Sequence, residues 1–172
     1  MELVDLYDEN RLPLGKTAER GAPKGPGELR LVVHVCIFDS RGRLLIQQRA
    51  PEKFIFPSLW DVSVGGGVDA GETSRQGAER EVREELGLDL DLGGLRPSVT
   101  VNFDGGFDDF YLLTRDLRRS DLTLQKEEVQ AVRWASLEEI LDMLRRGTFI
   151  PYPEGFLRFL FDMRDRFGFP TK

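Results

Sequence analysis

The chain has 172 residues, 40% of them hydrophobic, which suits one domain with its own core, and it contains no internal repeat or low-complexity tract. A net charge of −6 argues against a nucleic-acid polymer or an anionic membrane as partner, because such binders gather Lys and Arg on one face. The single Cys36 excludes an internal disulfide, no apolar run reaches the roughly 18 residues of a membrane span, and Met1–Asp8 lacks the basic and apolar regions of a signal peptide, so a cytoplasmic location is expected.

Residues 1–28 read as an N-terminal hairpin and a connector: Val4 to Tyr7 is followed by a turn at Asp8-Glu9-Asn10 and then by the Gly/Pro-rich stretch from Gly21 to Gly27. Leu31 to Phe38 is a continuous apolar run rich in β-branched residues. The turn Asp39-Ser40-Arg41-Gly42 and a second run, Leu44 to Arg49, follow it. This predicts two paired strands, the first buried on both faces, with His34 and Cys36 as core residues because neither has a partner cysteine or second histidine. Trp60 to Val64 alternates like a strand, and Gly65-Gly66-Gly67 reads as a loop whose backbone passes close to a ligand.

Thr73 or Ser74 is placed to cap a helix whose apolar row is Ala78, Val82 and Leu86, with Gly87 as its stop. On this helix Glu81, Glu84 and Glu85 stand at i, i+3 and i+4, so their carboxylates crowd one face. Each like-charge pair at this spacing costs roughly 0.2–0.5 kcal/mol. Anions in the last turn also oppose the helix dipole by about 0.3–1 kcal/mol. Arg80, at i−4 from Glu84, offsets one carboxylate and leaves oxygens for a hard divalent cation.

Farther on, Pro97 to Phe103 and Phe107 to Thr114 read as strands joined across Asp104-Gly105-Gly106, followed by a strand from Val129 to Trp134. Ser136-Leu137-Glu138-Glu139 is a capping box opening a helix that ends at Gly147, and Glu154 to Phe167 spaces its apolar residues as a C-terminal amphipathic helix. This order suits an α/β fold: an α/β/α sandwich with a mixed β-sheet, spanning 1–172 as one domain. A homodimer remains compatible with it.

Residues 66–88 carry Gly66, Glu72, Arg80, Glu81, Val82, Glu84, Glu85, Gly87 and Leu88 at the positions of G-x5-E-x7-R-E-U-x-E-E-x-G-U, where U is aliphatic, and so resemble the Nudix box. The resemblance implies the same sandwich fold and hydrolysis of a nucleoside diphosphate linked to another group. It gives Glu84 and Glu85 as Mg²⁺ ligands (Mn²⁺ as a substitute), Glu81 as a third ligand or general base, and the Gly65 carbonyl as a backbone contact. Glu72 and Arg80 match residues that orient those carboxylates.

The run from Leu29 onward also resembles the isopentenyl-diphosphate isomerase branch of the same fold. That branch needs a catalytic Cys where this chain has Gly65, a metal-binding His where it has Gly67, and another near Arg30, so the proton-transfer machinery is missing. A non-catalytic nucleotide-binding relative would be expected to have lost box glutamates, and none is lost. The expected substrate is a free nucleoside di- or triphosphate cleaved to the monophosphate; a nucleotide sugar or similar conjugate is the alternative. Arg49 is the candidate phosphate contact, Phe103 and Tyr152 are candidates for stacking on the base, and Lys53 reads as a loop charge. Outside the box, Glu128 precedes the Val129–Trp134 strand at a place where some Nudix hydrolases supply an extra glutamate, as ligand or base; Glu127 reads as solvated.

Overall fold

A computed structural model describes residues 2–166. The N-terminal hairpin pairs β1 (Leu3–Tyr7) with β2 (Pro13–Glu19) as a separate two-stranded sheet. A seven-stranded mixed sheet follows, built from β3 (Arg30–Phe38), β4 (Leu44–Arg49), β5 (Trp60–Asp61), β6 (Val64–Gly67), β7 (Val99–Phe103), β8 (Gly106–Thr114) and β9 (Val129–Ala135). Three helices cover it: α1 (Ser74–Leu86), α2 (Leu137–Arg145) and α3 (Glu154–Met163). No helix among the described residues is long and apolar enough to cross a membrane.

The layers follow from the alternation of β3. Leu31, Val33, Val35 and Ile37 pack with Ala78, Val82 and Leu86 of α1. Cys36 and Phe38 point the other way, into a second core with Ile140 and Leu141 of α2 and Leu157 and Leu160 of α3. The sheet is therefore sandwiched between α1 and the α2/α3 pair, as the apolar patterns require.

Four local expectations change. β3 and β4 do not form a long hairpin: they meet only at Phe38 and Leu44, beyond a turn closed by the Asp39 carboxylate on the amides of Arg41 and Arg43. The Ser63 hydroxyl separates them, accepting from the Ile37 amide and donating to the Leu45 carbonyl. β3 instead pairs in parallel with β8 and antiparallel with β6, while β4 pairs with β5 and β9. The Trp60–Val64 strand is accordingly broken, with β5 and β6 joining different neighbours. Gly65, Gly66 and Gly67 are not a loop but the end of β6, opposite His34, Val33 and Val32. The C-terminal helix closes at Met163; Phe167, included in it from the sequence, lies outside the described residues.

Backbone bonds hold the N-terminal hairpin to the domain, reciprocally between Tyr7 and Leu29 and from the Ala70 amide to Leu3. A buried latch adds to them. Asp109, 0% exposed, accepts both arms of the Arg11 guanidinium as well as the hydroxyls of Thr100 and Ser74. Arg11→Ala should leave that carboxylate short of its charged partner and destabilise the fold by roughly 3 kcal/mol, the scale of stranding one member of a buried pair. Denaturant melts check this; an unshifted midpoint would show that the latch carries no stability.

Candidate active site

α1 forms where the sequence places it. Thr73 caps it, and its side chain and the Gln76 side chain bond reciprocally to each other's amides; Gly87 closes it in the left-handed conformation at φ 68°. The carbonyls left open at its C-terminus are taken by the segment leading to β9: the Thr123 amide donates to Leu86 and the Gln125 amide to Glu85. The stretch that carries Glu128 is thus registered on the helix end by main-chain bonds.

Side chains cluster on the α1 face toward β6 and β4. Glu81 and Glu85 are buried, whereas the Glu84 side chain is 50% exposed. Glu81 lies so close to β6 that a Cβ on Gly66 would fall 2.2 Å from its carboxylate carbon, which accounts physically for glycine there. Arg80 is the hub. Its Nε bonds Glu72 at 3.0 Å, one terminal nitrogen bonds Glu81 at 2.9 Å and Glu84 at 3.1 Å, and the other donates to the Gly67 carbonyl at 2.8 Å. These bonds raise the Arg80 pKa despite its burial.

Electrostatics separate the three glutamates. Burial pushes the Glu81 carboxyl above its ordinary range, only partly opposed by Arg80. Glu85 is pushed up to about 8, first by burial and then by the charge of Glu81, with Gln47 pulling the other way through a 3.0 Å bond from its Nε2. The Gln47 carbonyl oxygen is buried and has no partner among the described residues. Among the described residues, no three His, Cys, Asp or Glu side chains converge as a preformed metal cage, because Glu81 and Glu84 are held on Arg80. The donor set nonetheless fits a hard divalent cation: carboxylate oxygens of a buried pair that Arg80 and Gln47 only partly compensate, beside an amide oxygen lacking a donor.

The remaining candidates are placed as follows. Glu128 is half-buried and ion-paired to Lys53, so Lys53 is not a free loop charge; Glu127 is exposed. The charge of Glu128 contributes to the raised Glu85 pKa. Arg49 donates through Nε to the Ile55 carbonyl at 3.1 Å and comes within 3.9 Å of Asp61. Tyr152 packs against Phe149 and Phe156 and gives its hydroxyl to Asp61 at 2.9 Å. Phe103 is 46% exposed, at the β7–β8 turn.

Two features were not read from the sequence. Gln47 is a polar residue in the inward-facing run of β4, and that misplacement was its one visible signal. His34 is more than core filling: its Nδ1 meets Asp108 at 2.7 Å, its ring stacks on Phe110 at 4.8 Å, and it abuts Gly65, where a Cβ would lie 2.5 Å from the imidazole. Burial lowers its pKa, but the Asp108 contact outweighs this and leaves it above the ordinary value.

The glycine end of β6 thus packs on a helix that buries two glutamates, within a sheet sandwiched by helices. The NUDIX domain family model matches residues 28–154, and the chain belongs to the Nudix family as a Nudix-type hydrolase. It is 50% identical over 165 residues to an uncharacterised Nudix hydrolase of Listeria monocytogenes, covering 96% of each chain. It is also 32% identical over 154 residues to an isopentenyl-diphosphate Δ-isomerase of Streptomyces coelicolor, covering 86% of this chain and 77% of that one. A crystal structure of a Deinococcus radiodurans protein superposes with a TM-score of 0.75 at 28% identity, covering 92% of this chain and 99% of that one.

Proposed function

We propose that the protein hydrolyses a phosphoanhydride bond of a nucleoside di- or triphosphate by water attack on phosphorus, releasing the monophosphate. The observation that carries this reading is the pair of buried carboxyls Glu81 and Glu85, Glu81 pressed against Gly66 of β6, a costly arrangement that a divalent cation would offset. Glu81, Glu84, Glu85 and the Gly65 carbonyl would hold Mg²⁺, with Mn²⁺ as substitute. Bound there, the cation supplies charge neutralisation at the phosphoryl oxygens and a lowered pKa for the attacking water. Arg80, fixed by Glu72, orients the helix carboxylates, and Arg49 faces the phosphates. Glu128 takes the proton from water, with Glu81 as the alternative base.

Isomerisation of an isopentenyl diphosphate is disfavoured by geometry. With His34 occupying the space beyond Gly65, a cysteine side chain there has no room unless the ring moves. The test of the proposal is phosphate release from a nucleotide panel with and without divalent cation. Turnover should require Mg²⁺ or Mn²⁺ and stop in excess EDTA; full turnover in chelator, or none on any nucleotide, would overturn it.

A further inference from the structure

Next to the glutamate cluster is a cavity of about 260 Å³ that the chemistry described so far does not use. Its apolar floor includes Val4 and Leu31, its rim carries Arg20, Lys24 and Arg30, and Phe103 forms one wall. It opens on Gly67 of β6, and Arg20 bridges it to the reaction centre, reaching the Gly67 carbonyl at 3.0 Å and Glu81 at 3.8 Å. The cavity therefore adjoins the place where a scissile anhydride would lie.

The charged side chains that line it, Arg20, Lys24 and Arg30, are all donors. Arg20 is engaged by Glu2 and Asp69, but Lys24 reaches only the Asp104 carbonyl at 3.3 Å. Arg30 donates one terminal N–H to the Ala22 carbonyl, while its Nε is buried with no partner among the described residues. A buried polar group left unpaired costs on the order of 1–3 kcal/mol, which an acceptor on a ligand would remove. The Phe103 ring packs against Gly105, where a Cβ would fall 2.2 Å from a ring carbon, so glycine at 105 leaves room for the aromatic wall, which is 46% exposed. The volume falls below the roughly 300 Å³ at which whole-ligand pockets begin, and so suits a ring rather than an entire nucleotide.

We propose that this cavity is a nucleobase subsite, with the base stacked on Phe103 and its acceptor edge on Arg30 and Lys24. The proposal rests on the nucleotide hydrolysis set out above. A rim of cationic donors favours a base edge made of acceptors alone, O6 and N7 of guanine or a keto oxygen of uracil, over the adenine edge that sets the N6 amino donor beside N7. Arg20 and Lys24 lie before residue 28, ahead of the family match, so base recognition is assembled partly from the N-terminal segment.

The test is calorimetric binding of uridine, guanosine and adenosine monophosphates and of ribose 5-phosphate to the full chain, alongside steady-state kinetics on the corresponding diphosphates. Uridine and guanosine monophosphates should bind about tenfold or more tighter than ribose 5-phosphate, the scale of one base–aromatic stack. Phe103→Ala should erase that difference and raise KM for the diphosphates roughly tenfold, and Lys24→Ala, at an exposed site, should weaken binding without a folding defect. Equal binding of base-bearing and base-free ligands, or tighter binding of adenosine monophosphate, would overturn the subsite even if the diphosphates are hydrolysed. Absence of nucleotide hydrolysis by the unmodified enzyme would instead overturn the underlying function.

Discussion

Glu85→Gln should lower kcat on nucleotides by roughly 10² or more, through lost charge at the reaction centre, while making the metal-free protein more stable at neutral pH. The two effects have one origin. In the fold, burial and the Glu81 charge lift the Glu85 carboxyl from its ordinary 4.5 to about 8, so the folded chain favours its neutral form. Stability from this group is therefore complete at acid pH below the unfolded value and declines as pH rises from about 4.5 through about 8, where the folded state must ionise. Glutamine is neutral throughout and removes that decline. Thermal melts in EDTA across this range, with and without the substitution, check the slope; Glu84→Gln, at a half-exposed position, should show the kcat loss without it. A Glu85→Gln variant that unfolds, or that turns over normally, would show that the residue does not do this chemistry.

Glu128→Gln should depress kcat by roughly 10² to 10⁴ with little change in KM, the range for removal of a general base. Glu127→Gln should be nearly silent. The neighbours differ in placement: Glu128 is half-buried, paired with Lys53 and close enough to Glu85 to raise its pKa, whereas Glu127 points to solvent. Kinetics of both variants decide the matter. Equal, small effects would return the segment to a structural role and leave Glu81 as the base.

What could be read from the chain is what is local. The α1 cap, read as Thr73 or Ser74 and found at Thr73, the Gly87 stop and the spacing of Glu81, Glu84 and Glu85 lie within one contiguous stretch. The sandwich was legible from the apolar periods of β3, α2 and α3. The parting of β3 and β4 was not, because it depends on a single Ser63 hydroxyl reaching two strands at once. Nor was the strand character of Gly65–Gly67, since glycine-rich composition reads as loop unless the neighbours that exclude side chains, Glu81 and His34, are already in place. The cavity beside the site was hidden most deeply. It joins the connector and Phe103 through contacts distant in sequence, among them the pairing of Arg30 with Gly106, whose backbone approach is too close for any side chain.

β3 sends alternate side chains into both hydrophobic cores, and the strand partners that frame the glutamate cluster hang on it. Neither core can loosen alone, because a rearranged β3 exposes apolar surface on both faces together. Melting is then a single cooperative event in which the two layers and the catalytic geometry disappear as one unit. On heating, loss of turnover should follow the same curve as loss of secondary structure, with no inactive yet folded stage between them.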